Sequence, residues 1–170
     1  MSAIEILKYP DPYLQRECRL IEEFDDELRA FAQDMVETMH GAIGIGLAAP
    51  QVGNDRRLLV ADLSVGQDSE ALLVLANPEV EFEEGEIKGD EGCLSFPDFV
   101  LVVPRPARVV VSGQDLEGNP VRVEADGLMA RCLHHEIDHL HGVLFINRVS
   151  PLKRDLARRK INKRIRAGDW

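Results

Sequence analysis

Apolar residues recur at helical spacing from about Asp25 to His40, where Leu28, Phe31, Met35, Val36 and Met39 fall on one face. Asp25 can cap the start of this predicted helix and Gly41 can end it. A glycine-rich loop follows, Gly41 to Gly53, and then short β-type runs at Leu58–Leu63, Leu72–Ala76 and Val80–Ile87. A second group of runs covers Val100–Val103, Val109–Ser112 and Val121–Glu124, the last preceded by a Glu117-Gly118-Asn119-Pro120 turn. The pattern returns to helix from about Gly127 to His141, with Gly142 as the stop. A short apolar run, Val143–Ile146, comes next, and Pro151 opens a final helix. Strands in runs, instead of strict strand–helix alternation, predict an α+β fold. Its mainly antiparallel sheets are expected to pack around the helix at 127–141, with a C-terminal helix at the end. No repeat, low-complexity tract or linker interrupts residues 1–170, so a single domain is expected.

Composition narrows the class. At 170 residues, 45% hydrophobic and 29% charged, the chain is in the range of an ordinary globular domain. Its three cysteines, Cys18, Cys93 and Cys132, are too few and odd in number for a disulfide framework, which suits a reducing compartment. The segment Met1 to Ile6 has neither the basic nor the apolar part of a signal peptide, and no apolar run reaches the roughly 18 residues of a membrane span. A soluble, cytoplasmic protein is the expectation. The net charge of -10 is unevenly spread: residues 151–170 carry eight Lys/Arg against Asp155 and Asp169, a balance of +6, and the remainder carries -16. A basic helix on an acidic body suits an anionic partner, or is simply a solvated helix face.

The chemistry concentrates in His135-Glu136-Ile137-Asp138-His139. Residues four apart on a helix lie about 40° apart in projection and about 6 Å apart along the axis, so both imidazoles can meet one cation. The glutamate between them can reach a metal-activated water without itself coordinating. Four of the five histidines lie within 134–141. His134 and His141 point to other faces and are expected to be exposed or to lie behind the ligands. Asp138 can orient a ligand imidazole, or be a salt-bridged aspartate with Arg105 as one partner.

A catalytic site usually has three protein ligands and leaves one position open. Cys132 shares the helix but stands seven residues from His139, about 10.5 Å along the axis, too far to join both histidines on one ion. It reads better as a small buried hydrophobe. Cys93, in Asp90-Glu91-Gly92-Cys93-Leu94-Ser95, is expected on a flexible loop that could bring its thiolate to the helix; a lone buried cysteine is the other reading. Cys18 reads as structural.

Three segments together, Gly44-Ile45-Gly46-Leu47-Ala48-Ala49-Pro50-Gln51, Glu91-Gly92-Cys93-Leu94-Ser95 and His135-Glu136-Ile137-Asp138-His139, resemble in order and spacing the signatures of peptide deformylases. The likeness covers essentially the whole chain. It implies a metal-dependent hydrolase that removes the formyl group from the N-terminal formyl-methionine of new polypeptides and releases formate. By this resemblance Cys93, His135 and His139 are the metal ligands, metal-bound water is the nucleophile, and Glu136 is general base and then general acid. Gln51, through its side-chain amide, and Leu94, through its backbone N–H, are implied as oxyanion donors. Gly44, Ile45 and Gly46 would let the substrate backbone approach, and Ile45, Leu128 and Cys132 would line the methionine pocket. The likeness implies Fe²⁺, whereas the donor types alone suit Zn²⁺ readily and accept Co²⁺ or Ni²⁺.

The sequence departs from the family pattern at His134, where Gln is usual, at Arg131, apolar in some members, and at Val100, where some carry Arg. The motif helix alone would also suit a zinc endopeptidase, and a metal-stabilised binding module is the non-enzymatic alternative. The basic 151–170 helix suggests contact with ribosomal RNA or an acidic ribosomal surface.

Overall fold

The computed structural model describes residues 3–170; Met1 and Ser2, the start of the segment inspected for a leader, lie outside the described residues. Its order is α1 (Asp26–Gly41), β1 (Gly46–Ala48), β2 (Leu58–Ala61), β3 (Leu73–Glu84), β4 (Ile87–Cys93), β5 (Phe96–Arg105), β6 (Arg108–Gln114), β7 (Pro120–Asp126), α2 (Gly127–Leu140) and α3 (Pro151–Arg166). The strands form an antiparallel sheet in the order β1-β2-β3-β6-β7 and a separate β4–β5 hairpin. This is the α+β architecture the sequence predicts.

Strand alternation explains the layering. In β2 every residue is buried, and successive side chains serve opposite faces. Leu58 and Val60 join Leu28, Met35, Val36 and Met39 of α1, while Leu59 and Ala61 join Ala130, Leu133, Ile137 and Leu140 of α2. The five-stranded sheet is therefore sandwiched between the two helices, and α2 runs through the middle of the molecule, buried almost continuously from Ala130 to Leu140. A third apolar cluster, with Phe96, Val103, Phe145, Ala157 and Ile161, fastens α3 and the hairpin beside it.

The helix ends follow their caps. The Asp25 carboxylate accepts from Leu28 N, and Ser150 Oγ accepts from Lys153 N with Pro151 at the first helical position. Past α2, Gly142 takes a φ of +73°, and a Cβ there would strike the backbone of Gln15, so only glycine lets the chain leave the helix.

Three expectations need correction. The runs at 72–76 and 80–87 merge into one long strand that ends at Glu84, and Ile87 already belongs to β4. Pro78 donates no ladder bond, but the chain crosses this point as a bulge at Asn77 (φ +49°), whose side-chain amide bonds Ile21 N and O instead. The glycine loop contains β1, too short and too glycine-rich to show a period. Residues 87–93 form β4, so Cys93 is held at a hairpin end and is not on a flexible loop: it pairs with Phe96 across the Leu94-Ser95 turn. The run at 143–146 leads into a single 3-10 turn, Phe145–Arg148.

Candidate metal centre and pocket

His135 and His139 sit one turn apart on α2, with Nε2 atoms 3.1 Å from each other. The β4–β5 hairpin closes over this face of the helix and brings Cys93 Sγ to 3.4 Å from His139 Nε2. All three atoms lie within 4.8 Å of one another, and no other such His/Cys/Asp/Glu group occurs among the described residues. A tetrahedral cation with nitrogen ligands at about 2.0–2.1 Å and sulfur at about 2.3 Å would separate its donors by roughly 3.4 Å (N to N) and 3.6 Å (N to S). The two sides that meet at His139 are within a few tenths of an ångström of those values, and the third is no longer than 4.8 Å, so these residues fit a divalent ion. Cys132, seven residues before His139, takes no part in the triangle; its Sγ donates to Ile45 O at 3.4 Å, and burial pushes its thiol well up.

The hydrogen bonding behind the ligands agrees with that fit. His135 Nδ1 bonds Glu91 Oε2, which fixes the ring with Nε2 facing the triangle. Burial, followed by the charge of a protonated His135, holds His139 well below the usual imidazole range. Burial opposes ionisation of Glu91, but His135 and the Arg105 guanidinium outweigh it and hold the carboxyl well below the usual range. Arg105 is the largest fully buried side chain; its Nη2 and Nε donate to the two Glu91 oxygens at 2.7 and 3.0 Å, and its Nη1 donates to Asp138 Oδ2 at 2.6 Å. Arg148 closes the chain on Asp138 at 2.6 and 2.9 Å. A buried guanidinium needs such a complete set of acceptors.

Asp138 is thus the salt-bridged aspartate and does not orient His139, whose Nδ1 has no protein hydrogen-bond partner. His134 is buried and accepts at Nδ1 from Arg105 Nη1, 2.8 Å away. Since arginine only donates, the His134 proton is on Nε2, toward Glu83. His141 is exposed and pairs with Glu17. Glu91 and Arg105 are the members of the site that sequence reasoning left without a role beside the ligands. The signal available was two charged residues too polar for the strands that carry them.

Glu136 faces the triangle from α2. Its Oε1 is buried without a hydrogen-bond partner, and burial pushes the carboxyl up to about 7 against the pull of His135. Gly46 of β1 stands opposite: a Cβ there would lie 2.6 Å from Glu136 Oε2 and 2.8 Å from Cys132 Sγ. Gln51 is fully buried and fixed at both ends, Oε1 accepting from Ala48 N at 2.9 Å and Nε2 reaching Ser95 Oγ at 3.1 Å and Cys93 Sγ at 3.6 Å. These groups line a cavity of about 370 Å³ together with Gly44, Ile45, Leu94, Leu128, Arg131 and Val100. Every residue singled out for the site from sequence is on this cavity except His139, which lies behind it as the third corner of the triangle.

Fold and site together define the class: a small α+β protein with a candidate metal centre beside a mainly apolar pocket. Residues 3–155 match the family model described as polypeptide deformylase. A peptide deformylase of Thermodesulfovibrio yellowstonii is 49% identical over 160 residues, covering 94% of this chain and 97% of that one. One of Acidobacterium capsulatum is 50% identical over 165 residues, covering 97% of both chains. The crystal structure of a peptide deformylase from Legionella pneumophila superposes with a TM-score of 0.90 at 42% identity, over 98% of this chain and 97% of that one. The chain belongs to the polypeptide deformylase family of enzymes.

Proposed function

We propose that this enzyme removes the formyl group from the N-terminal formyl-methionine of newly made polypeptides, yielding formate and a free amine. The observation that carries the reading is the buried, partnerless Glu136 oxygen beside three converged donor atoms on an apolar cavity. A purely structural metal site has no use for such a carboxyl.

On this reading Cys93 Sγ, His135 Nε2 and His139 Nε2 hold one divalent ion, Fe²⁺ by family likeness, with Zn²⁺, Ni²⁺ or Co²⁺ acceptable to the same donors. When bound, the ion supplies Lewis acidity toward water and the formyl oxygen. Glu136 takes the proton from water as its oxygen bonds to the formyl carbon. It then delivers that proton to the amine nitrogen as the C–N bond breaks. A carboxyl whose affinity for protons lies near neutrality can do both. Gln51 Nε2 and the Leu94 N–H stabilise the charge that develops on the formyl oxygen. Because Gln51 is already fixed at its other end, little reorganisation is needed when that charge appears.

β1 lies at the edge of its sheet, and Gly44, Ile45 and Gly46 can pair with an extended substrate backbone at close range. The methionine side chain then enters the apolar space beside Ile45, Leu128 and Cys132. The cytoplasm is the matching place of work. Lys153, Arg158, Arg159, Lys160, Lys163 and Arg166 are all exposed on or beside one basic helix, which supports contact with the ribosome near emerging chains.

Mass analysis of formyl-Met-Ala-Ser after incubation with anaerobically prepared, Fe²⁺-loaded protein tests the reaction. Loss of the formyl group from an otherwise intact tripeptide is expected. Cleavage at internal peptide bonds, with the formyl group retained, would instead establish an endopeptidase.

A further inference from the structure

Arg131 departs from the apolar residue that some relatives carry, and the mechanism above gives it no task. It lies on α2 four residues before His135, with a side chain only 12% exposed. Although it borders the cavity, its guanidinium is not directed at substrate space. Nη2 donates to Ile87 O of β4 at 2.7 Å, and Nη1 donates to Val103 O of β5 at 2.9 Å and to Glu91 Oε1 at 3.0 Å. The group lies flat against Gly89, where a Cβ would stand 3.4 Å from Nη2. One side chain of the histidine-bearing helix thus holds both strands of the hairpin that carries Cys93.

Two consequences follow from these contacts. The Cys93 corner of the triangle comes from the hairpin and the two histidine corners come from α2, so the triangle is only as well formed as the docking of one on the other. Glu91, which fixes the His135 ring, takes guanidinium groups from two directions: Arg105 grips both its oxygens, and Arg131 adds a second bond to Oε1. A planar guanidinium spreads its donors over a fork that reaches both strands and Glu91 at once; an ammonium gathers its three donors on one nitrogen, and an apolar side chain has none.

We propose that Arg131 is a positioning residue for the metal centre, setting the distance between the Cys93 hairpin and the His135/His139 helix and steadying Glu91 behind His135. The inference rests on the reading that Cys93, His135 and His139 hold a cation. Its signature is retention of the metal, since groups behind the ligands typically change metal affinity by about 10–100-fold.

The test is Zn²⁺ competition against a chromophoric chelator on the folded full-length protein, for wild type, Arg131→Met, Arg131→Lys and Asp62→Asn. The last loosens the fold away from the centre, where the Asp62 side chain bonds only His40, Ser64 and Gly66. Cobalt-substituted absorption, whose thiolate-to-metal band reports the Cys93 bond, is recorded alongside. Arg131→Met is expected to bind Zn²⁺ about 10–100-fold more weakly and to alter the thiolate band. Arg131→Lys should fall between it and wild type, and Asp62→Asn should bind as wild type does. If Arg131→Met fails to fold, Arg131→Lys decides alone by the same readout. Wild-type affinity and spectrum in a folded Arg131 variant would overturn the inference, as would equal weakening in Asp62→Asn. A wild-type protein that binds no Zn²⁺ would instead overturn the metal-centre reading beneath it.

Discussion

At Gly46 an added methyl group would meet the Glu136 carboxylate and the Cys132 sulfur at well under contact distance, and both neighbours are buried with little freedom to retreat. Gly46→Ala is therefore expected to keep the fold, by circular dichroism, while displacing Glu136. An error near 1 Å in a reacting group costs about 100-fold, so kcat/KM for a formylated peptide should drop by that order. Unchanged turnover would show that Glu136 has other room. Asp62 offers a test away from the site. Ser64 Oγ donates to its buried carboxylate; burial opposes ionisation, but His40 and the Ser64 and Gly66 amides also bind it, and its pKa is lowered from 3.8 to about 2. A carboxylate lowered in the folded state stabilises it in full above the unfolded value, and that contribution is lost as pH falls through the folded one. The stability difference between wild type and Asp62→Asn, from urea unfolding, should shrink between about pH 5 and about pH 2.5. A difference independent of pH would contradict this.

The last helix is tied to the pocket wall by its own end. Trp170 donates its indole N–H to Tyr9 O, sits edge-on to Phe96 and Phe99 at ring distances of 6.1 and 6.4 Å, and is covered by Arg164 at 4.9 Å. Arg164 in turn donates to Pro97 O at 2.9 Å. Since Trp170 is half-buried, Trp170→Ala should cost about 2 kcal/mol in urea unfolding, below the about 3–5 of a fully buried aromatic; no loss would mean the contacts are not held in solution. The three α-helices were legible in the sequence for different reasons: a cap at Asp25 and an apolar period mark α1, the 127–141 stretch before Gly142 marks α2, and Pro151 opens α3. The hairpin was only half legible. β5 reads as a strand from Val100 to Val103, but Ile87-Lys88-Gly89-Asp90-Glu91-Gly92-Cys93 has no alternation to read. Its one buried polar residue, Glu91, serves Arg105 and His135, partners distant in sequence, so the period is lost where the site is built.

For the molecule as a whole, charge and chemistry are segregated, with an acidic body around the cavity and a basic helix at one end. Lys160 and Lys163 are exposed and outside the packed face formed by Ala157 and Ile161. Reversing both to Glu should weaken co-sedimentation with ribosomes and flatten its salt dependence, while formyl-tripeptide turnover stays unchanged. Ribosome affinity unaffected by the reversal would leave the helix as a solvated face. How the molecule assembles its centre was legible only in part. The pair His135 and His139 follows from helix geometry, which also sets Cys132 aside, but the choice of Cys93 as third ligand came from family likeness, because no period in the sequence announces a hairpin folding back over α2. The central claim is that Glu136 moves the proton in a metal-dependent deformylation. Its most direct test is formate release from formyl-Met-Ala-Ser by wild type and Glu136→Gln, both Fe²⁺-loaded anaerobically and matched for metal content. Turnover by wild type and a loss of about 100–10,000-fold in the variant, with metal retained, is the expected result; no formate from the fully loaded wild type, or equal rates for the two proteins, would contradict it.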